Sequence, residues 1–334
     1  MNSNPPIGIA LIGCGRISDY HLIAIAAQPD ALRLVAIVDT DLAKAQAVAK
    51  AYNAPHAFAT LEEALAVDAV QAICICTPND LHKEQSIAAL KAGRHVLIEK
   101  PMAESIEDAK AMAQAAEAAG RVLAVGMTFR HSPPIRHIQA HRHAWGKLRA
   151  IDLSYCVLWD GPQAPWWATR TPQEGLILSL FAPHALDFVQ LMMEGQDPVH
   201  VQAMCARHQT GWLAEDEAVI GLAYPGGRLA NVHISYNQEF LVDRRVLYFE
   251  HMTARIEDSQ FLWLNDDLVV APEAIPEKIH VLGALDASGY FYDQMHQFVR
   301  AMHGEPSGCV LHDEGVRLTA LEQKIIATAV RVES

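Results

Sequence analysis

What most limits the folds open to this chain is the order of its first 125 or so residues, where short apolar runs alternate with longer amphipathic ones. The runs Ile7–Ile12, Leu34–Val38, Ala72–Cys76, His95–Ile98 and Val122–Val125 lack the polar alternation of a strand with one wet face. Helical stretches fall between them at Ile17–Gln28, Leu42–Tyr52, Leu81–Ala92 and Ser105–Ala119. The last carries a capping-box pair, Ser105 and Asp108, and Gly120 as its C-terminal stop. Strands apolar on both faces need helices on both sides, and parallel neighbours need right-handed crossovers. The expectation is an α/β fold, with a doubly wound parallel sheet of the Rossmann type over residues 1–126.

The pattern changes near Gly126. After a helix at Pro134–Trp145, two-faced strands are expected at Leu148–Trp159, Val199–His208, Glu217–Tyr224, Arg228–Tyr236 and Arg244–His251. Pro225-Gly226-Gly227 reads as a hairpin turn. Helices at Gln173–Met193 and near the C-terminus would back the sheet. Residues 127–334 are thus expected to form an α+β domain with a large, open, mostly antiparallel sheet. Such a sheet exposes one apolar face, which points to a homodimer or homotetramer.

Composition narrows the partners. A net charge of −13 offers no basic surface for phosphates, so nucleic acid is not an expected partner. No apolar run approaches the roughly 20 residues of a membrane span. The N-terminus has no signal-peptide pattern, so a cytoplasmic protein is expected. Cys14, Cys74, Cys76, Cys156, Cys205 and Cys309 include no C-x-x-C pair and read as structural thiols. His137 and His141 share a helix face without the acid of an H-E-x-x-H site, so no metal is expected.

Gly13-Cys14-Gly15-Arg16-Ile17-Ser18 follows the first strand and opens the first helix. Gly13 permits the tight turn, Gly15 lets backbone approach a pyrophosphate, and the helix N-terminus at Arg16 and Ile17 offers N–H groups to the anion. Asp39 ends the second strand near the roughly 20-residue spacing of a ribose-binding acid. With Asp41 nearby it would repel a 2′-phosphate, which favours NAD over NADP. Glu99-Lys100-Pro101 lies just past the strand ending at Ile98, on the sheet edge where α/β ligands bind.

Five stretches together resemble the glucose-fructose oxidoreductase / inositol dehydrogenase / rhizopine-catabolism (Gfo/Idh/MocA) oxidoreductases. They are Gly13–Ser18, Cys76-Thr-Pro-Asn-Asp-Leu-His82, Ala92-Gly-Arg-His-Val-Leu-Ile-Glu-Lys-Pro101, Gly126-Met-Thr-Phe-Arg130 and the helix with His184-Ala-Leu-Asp187. The resemblance implies a nicotinamide enzyme moving hydride to or from a hydroxyl-bearing carbon of a sugar-like or cyclitol substrate. It implies Lys100 as the proton-transfer group, its pKa lowered by burial or a cationic nicotinamide. It also implies Thr77, Pro78, Asn79, His82 and Glu99 around the cofactor. His184 matches the histidine of the family's D-x-x-x-H signature, but Leu180 stands where the acid belongs and Glu174-Gly175-Leu176 replaces a glycine triplet. Asp187 is a candidate to orient the imidazole. Trp159, Asp160, Trp166, Trp167 and Arg170 share a proline-containing loop in which rings could stack on a substrate and Arg170 bind a carboxylate. Domain-interface packing explains that loop equally well. Arg130 is a further candidate for an anionic substrate group, and Tyr236 and Asn237 lie where a hairpin end could approach a pocket. Two alternatives remain: a non-catalytic dinucleotide- or sugar-sensing regulator, and a dinucleotide-dependent glycosidase.

Overall fold

The computed structural model describes residues 5–162, 164–272 and 288–332. They fall into two units: the described residues of Met1–His131 with Pro276–Thr319, and those of Ser132–Ile275 with Ala320–Ser334. The expected boundary at 126/127 omits the chain's return, because a C-terminal segment rejoins the first unit.

In the first unit, strands β1 (Ile7–Ile12), β2 (Leu32–Val38), β3 (His56–Phe58), β4 (Ala72–Ile75), β5 (His95–Ile98) and β6 (Leu123–Val125) lie parallel in the order β6-β5-β4-β1-β2-β3. Helices α1 (Ser18–Ala26), α2 (Leu42–Ala51), α3 (Leu61–Leu65), α4 (His82–Lys91) and α5 (Ile106–Ala119) connect them. Every residue of β1 and β4 is buried, as two covered faces require. The strand order reverses beside β1, which puts a ligand crevice at the carboxyl ends of β1 and β4.

Neither β3 nor α3 was anticipated. Three strand residues and five helical ones are too short for periodicity to reveal. A local signal for α3 was present, since Thr60 and Glu63 form a full reciprocal capping box. Ser105 caps α5 by accepting from the Asp108 backbone N–H at 3.1 Å. The Asp108 carboxylate instead pairs with Lys83 at 2.7 Å.

The second unit carries α6 (Pro133–His141), α7 (Ile177–Leu180), α8 (Ala182–Met192) and strands β7 (Leu148–Leu158), β8 (His200–Ala206), β9 (Glu217–Tyr224), β10 (Arg228–Ser235), β11 (Asn237–Phe249), β12 (Thr253–Glu257), β13 (Phe261–Leu264) and β14 (Asp267–Val270). With β16 they form one mixed sheet in the order β14-β13-β12-β11-β7-β10-β9-β8-β16, where β16 is Val330–Val332. Most neighbours are antiparallel; β10 with β7 and β16 with β8 are parallel. The β9–β10 hairpin turns where expected, with Gly226 and Gly227 at φ of 78° and 77°. On β10, Ala230, Val232 and Ile234 are buried, while Leu229 on the opposite face is 56% exposed. The helix expected over Gln173–Met193 is instead two, separated at Phe181, with Pro183 in the first turn of α8 where its missing N–H costs nothing.

The returning segment comprises α9 (Ser288–Met302), β15 (Val310–Leu311) and α10 (His312–Thr328), of which α10 passes from the first unit to the second after Thr319. β15 adds antiparallel to the β6 edge. On α9, Phe291 stacks on Tyr20 of α1 at 5.0 Å between ring centroids. No helix among the described residues is long and apolar enough to cross a membrane.

Close backbone approach fixes one glycine. A Cβ at Gly8 in β1 would fall 1.8 Å from the carbonyl oxygen of Ala69, with no flexible atom to yield. Gly8→Ala is expected to lower unfolding free energy by about 2–3 kcal/mol in urea denaturation. Gly15→Ala, with no atom within 4 Å of its new methyl, should stay within about 0.5 kcal/mol of the parent.

Candidate functional site

The turn after β1 is built by steric and hydrogen-bond constraints acting together. Gly13 has φ of 88°, and a Cβ there would press on the Cys76 carbonyl at 2.9 Å. Its N–H donates to the Val38 carbonyl at 2.8 Å, joining the turn to the end of β2. Asp39 then accepts from the Cys14 N–H at 2.8 Å through Oδ2 and from the Asp41 N–H at 3.0 Å through Oδ1. The carboxylate is thus aimed before any ligand arrives. Ser18 closes the first turn of α1, its hydroxyl donating to the Gly15 carbonyl at 2.5 Å.

Beside this turn lies a cleft of about 620 Å³. Gly13, Gly15, Asp39, Thr77 and Pro78 line it, as do Lys44, Thr60, Leu61, Glu62 and Gln85, which sequence reasoning missed. The Thr60 capping box was the one signal that could have located part of that wall. Arg16 is exposed and Ile17 half-buried at the start of α1, outside the cleft lining. The donor set and the space suit a dinucleotide. Nothing lies within 4 Å of a Cβ built on Gly15, a helix N-terminus follows it, and a fixed carboxylate stands at the next strand end. Asn79, just past Pro78, is 8% exposed, and its amide nitrogen is buried with no hydrogen-bond partner among the described residues.

The second part of the site is the turn after β5. Glu99 is buried, and its Oε1 meets Nε2 of His21 on α1 at 2.7 Å. Burial works to raise this carboxyl, but the His21 ring, helped by Lys100, more than offsets it and holds Glu99 below its ordinary value. Burial likewise works to lower His21, and Cys74 and Glu99 outweigh it, so the imidazole is raised. The other carboxylate oxygen of Glu99 accepts the Lys100 backbone N–H at 3.2 Å. Lys100 is half-buried, and the bond from it to Pro101 is cis.

His82 joins the two parts. Fully buried, it places Nδ1 2.9 Å from the Pro101 carbonyl and Nε2 3.0 Å from the Thr77 carbonyl. Burial lowers its pKa despite both carbonyls. The histidine expected to line the cofactor acts here as a clamp between the Lys100 turn and the cleft wall. His21 was not anticipated at all; its only trace in the sequence is a titratable residue on a helix face otherwise apolar.

In the second unit the expected residues are placed as follows. His184 is half-buried in the first turn of α8, while Leu180, at the end of α7, is 4% exposed. The break at Phe181 means that these two do not share one regular helix face. Asp187 is 3% exposed on α8. Arg170 is turned inward, donating through Nε to the Gly175 carbonyl at 2.7 Å and through Nη2 to the Glu174 carbonyl at 3.0 Å. Trp167 and Trp159 are half-buried with centroids 5.1 Å apart, and Trp159 packs 4.7 Å from buried Tyr236. Gln209 ties Trp159, Tyr236 and Asn237 together through its Nε2. Back in the first unit, Arg130 is buried and ion-paired with Glu314 at 2.7 Å.

Comparison with known proteins agrees with this architecture. Residues 7–127 match the model of an oxidoreductase family with an NAD-binding Rossmann fold, and residues 136–253 match the GFO/IDH/MocA C-terminal domain. Among curated proteins, the chain is 37% identical over 150 residues to scyllo-inositol 2-dehydrogenase (NADP(+)) IolU of Bacillus subtilis, covering 45% of each chain. It is 39% identical over 146 residues to 4-carboxy-2-hydroxymuconate-6-semialdehyde dehydrogenase of Sphingobium sp., covering 44% of each. These matches span a little under half the length of those relatives. Among solved structures, the WlbA dehydrogenase from Bordetella pertussis, in complex with NADH and UDP-GlcNAcA, superposes with a TM-score of 0.82 at 26% identity, over 98% of this chain and 96% of that one.

The clamp is open to a direct test. The neutral ring has a single N–H to donate to one of these carbonyls; His82→Leu removes that donor, and a loss of about 1–3 kcal/mol is expected in urea unfolding.

Proposed function

Because the chain belongs to the GFO/IDH/MocA oxidoreductase family, we propose that it is an NAD(P)-dependent dehydrogenase or reductase acting on a hydroxyl or carbonyl carbon of a sugar-like or cyclitol substrate. The observation that carries the reading is the Lys100 turn. Glu99 fixes the Lys100 backbone from one side, and His82 ties Pro101 to Thr77 on the cleft wall from the other. A half-buried lysine is thereby held just past the carboxyl end of β5 with its backbone fixed. Positioning of this kind is what general acid–base transfer requires.

A bound dinucleotide would supply the hydride acceptor or donor. Gly13 and Gly15 would give its phosphates room beside the α1 N-terminus, and Asn79 would satisfy its buried amide on it. Asp39, already oriented by two backbone N–H groups, would accept from ribose hydroxyls and disfavour a 2′-phosphate, so NAD is the proposed cofactor. Lys100 Nζ would take the substrate hydroxyl proton during oxidation and return it during reduction. His184 is the second proposed catalytic group, and Trp167 a proposed substrate contact. Arg130 and Arg170 are weaker candidates than their sequence suggested, since both serve internal partners. The exposed apolar residues of the large sheet, Leu229 and Val219 among them, support a homo-oligomer.

A non-catalytic sensor on the same fold is the second reading, favoured by Leu180 where the family's acid stands. The experiment that separates them starts with a screen of sugars, cyclitols and aromatic diols for NADH formation by the purified protein. With a substrate in hand, Lys100→Ala should lower kcat about 10²–10⁴-fold while NADH affinity, read by its fluorescence, changes less than about threefold. Full turnover in that variant would remove Lys100 from the mechanism. Asp39→Ala should weaken NAD binding about 10- to 100-fold and NADP binding less. Equal losses for both would refute the cofactor assignment.

A further inference from the structure

Beneath the Lys100 turn, three side chains bring sulfur and nitrogen donors to one point. Cys74 lies in β4, Cys76 just past its end, and His21 on the inner face of α1. Their sulfurs and an imidazole nitrogen all lie within 4.8 Å of one another. The residues are 0%, 7% and 1% exposed. The two sulfurs are 3.9 Å apart. Two thiolates bound at about 2.3 Å to one tetrahedral cation would stand about 3.8 Å apart, so this spacing requires almost no movement.

The imidazole supplies a second, independent observation. Its Nε2 is engaged by the Glu99 carboxylate at 2.7 Å, whereas Nδ1 is buried and has no hydrogen-bond partner among the described residues. A ligating histidine is held in this way, one nitrogen on a carboxylate that fixes the ring and the other left for the metal. The C-x-C spacing carries no such message by itself. It places two thiols on one side of a buried strand, and only the packing of α1 adds the third donor.

We infer that His21, Cys74 and Cys76 form a binding site for one thiophilic d¹⁰ cation, zinc(II) or copper(I). On binding, each thiol releases its proton to solvent and becomes a thiolate ligand, while Nδ1 gives up any proton it holds and presents a lone pair. No electron is transferred. Three donors complete a trigonal copper(I) site, or leave one position open on tetrahedral zinc(II). The cation would brace the segment at Cys76, whose carbonyl leaves no room for a Cβ at Gly13, and through His21 and Glu99 the Lys100 turn. Its role would be structural, and the cation itself would take no part in the proposed proton transfer.

Purified full-length protein, reduced and stripped with a chelator, tests this by elemental analysis after incubation with zinc(II), or anaerobically with copper(I), and removal of loosely held metal. About one equivalent should be retained, with the ion that is kept naming the native class. The Cys74→Ser/Cys76→Ser double variant should retain less than about a tenth of that, whereas His137→Gln/His141→Gln, on the solvated helix face, should retain all of it. Cobalt(II) added to the parent protein should give an intense near-ultraviolet thiolate-to-metal band, a readout that does not depend on any variant folding. Absence of both retained metal and the cobalt band, or undiminished uptake by the double cysteine variant, would overturn the site. NADH binding by the stripped protein, followed by fluorescence, reports separately on the proposed oxidoreductase function.

Discussion

The buried contact between Glu99 and His21 organises the first unit. A carboxylate 8% exposed just past the end of β5 has little water to solvate it, so it must be met by a hydrogen-bonding cation or dipole. His21 reaches it from α1, the same helix whose N-terminus follows the Gly13–Gly15 turn. One polar pair therefore couples the glycine-turn end of α1 to the turn that presents Lys100. Phe291 of α9 packs edge-on against the same imidazole, with centroids 4.9 Å apart, which explains why a segment from far along the chain returns to this unit.

Around that contact the site is a set of constraints on backbone rather than a collection of reactive side chains. Gly13 is pressed between strand ends, Asp39 is held by two N–H groups, and His82 bridges two carbonyls. Each fixes a loop at the carboxyl edge of a parallel sheet, where neighbouring loops diverge and leave a crevice. Most of the rigidity is thus invested in groups that touch no reacting atom. That arrangement suits hydride chemistry, in which the protein's part is orientation and a well-placed proton.

The second unit is built on a different balance. Its sheet has one face buried by alternating apolar residues and another on which Leu229 and Val219 stay exposed. Aromatic side chains gather at one region, with Tyr236 at 0% exposure beneath Trp159 and Trp212. Arginines that looked available in the sequence are used to satisfy backbone carbonyls or a carboxylate. A charged side chain seen only as a letter has no visible partner, and this is why such assignments from sequence misjudge reach.

The sequence alone determined the parallel sheet, its longer helices, the glycine turn at Gly13 with Asp39 at the end of the next strand, and the Glu99–Lys100–Pro101 edge, because each is encoded within a short span by periodicity, glycine placement or local capping. It also located the β9–β10 hairpin through adjacent glycines. Short elements such as β3 and α3 escaped, since so few residues carry no readable period. Only the tertiary structure decided that His21 partners Glu99, that His82 serves as a clamp, that α9 belongs with the first unit, and that Cys74 and Cys76 share a point in space with an imidazole. All four join residues remote in the chain, and their meeting follows from how helices pack on the sheet, which no local pattern of residues records.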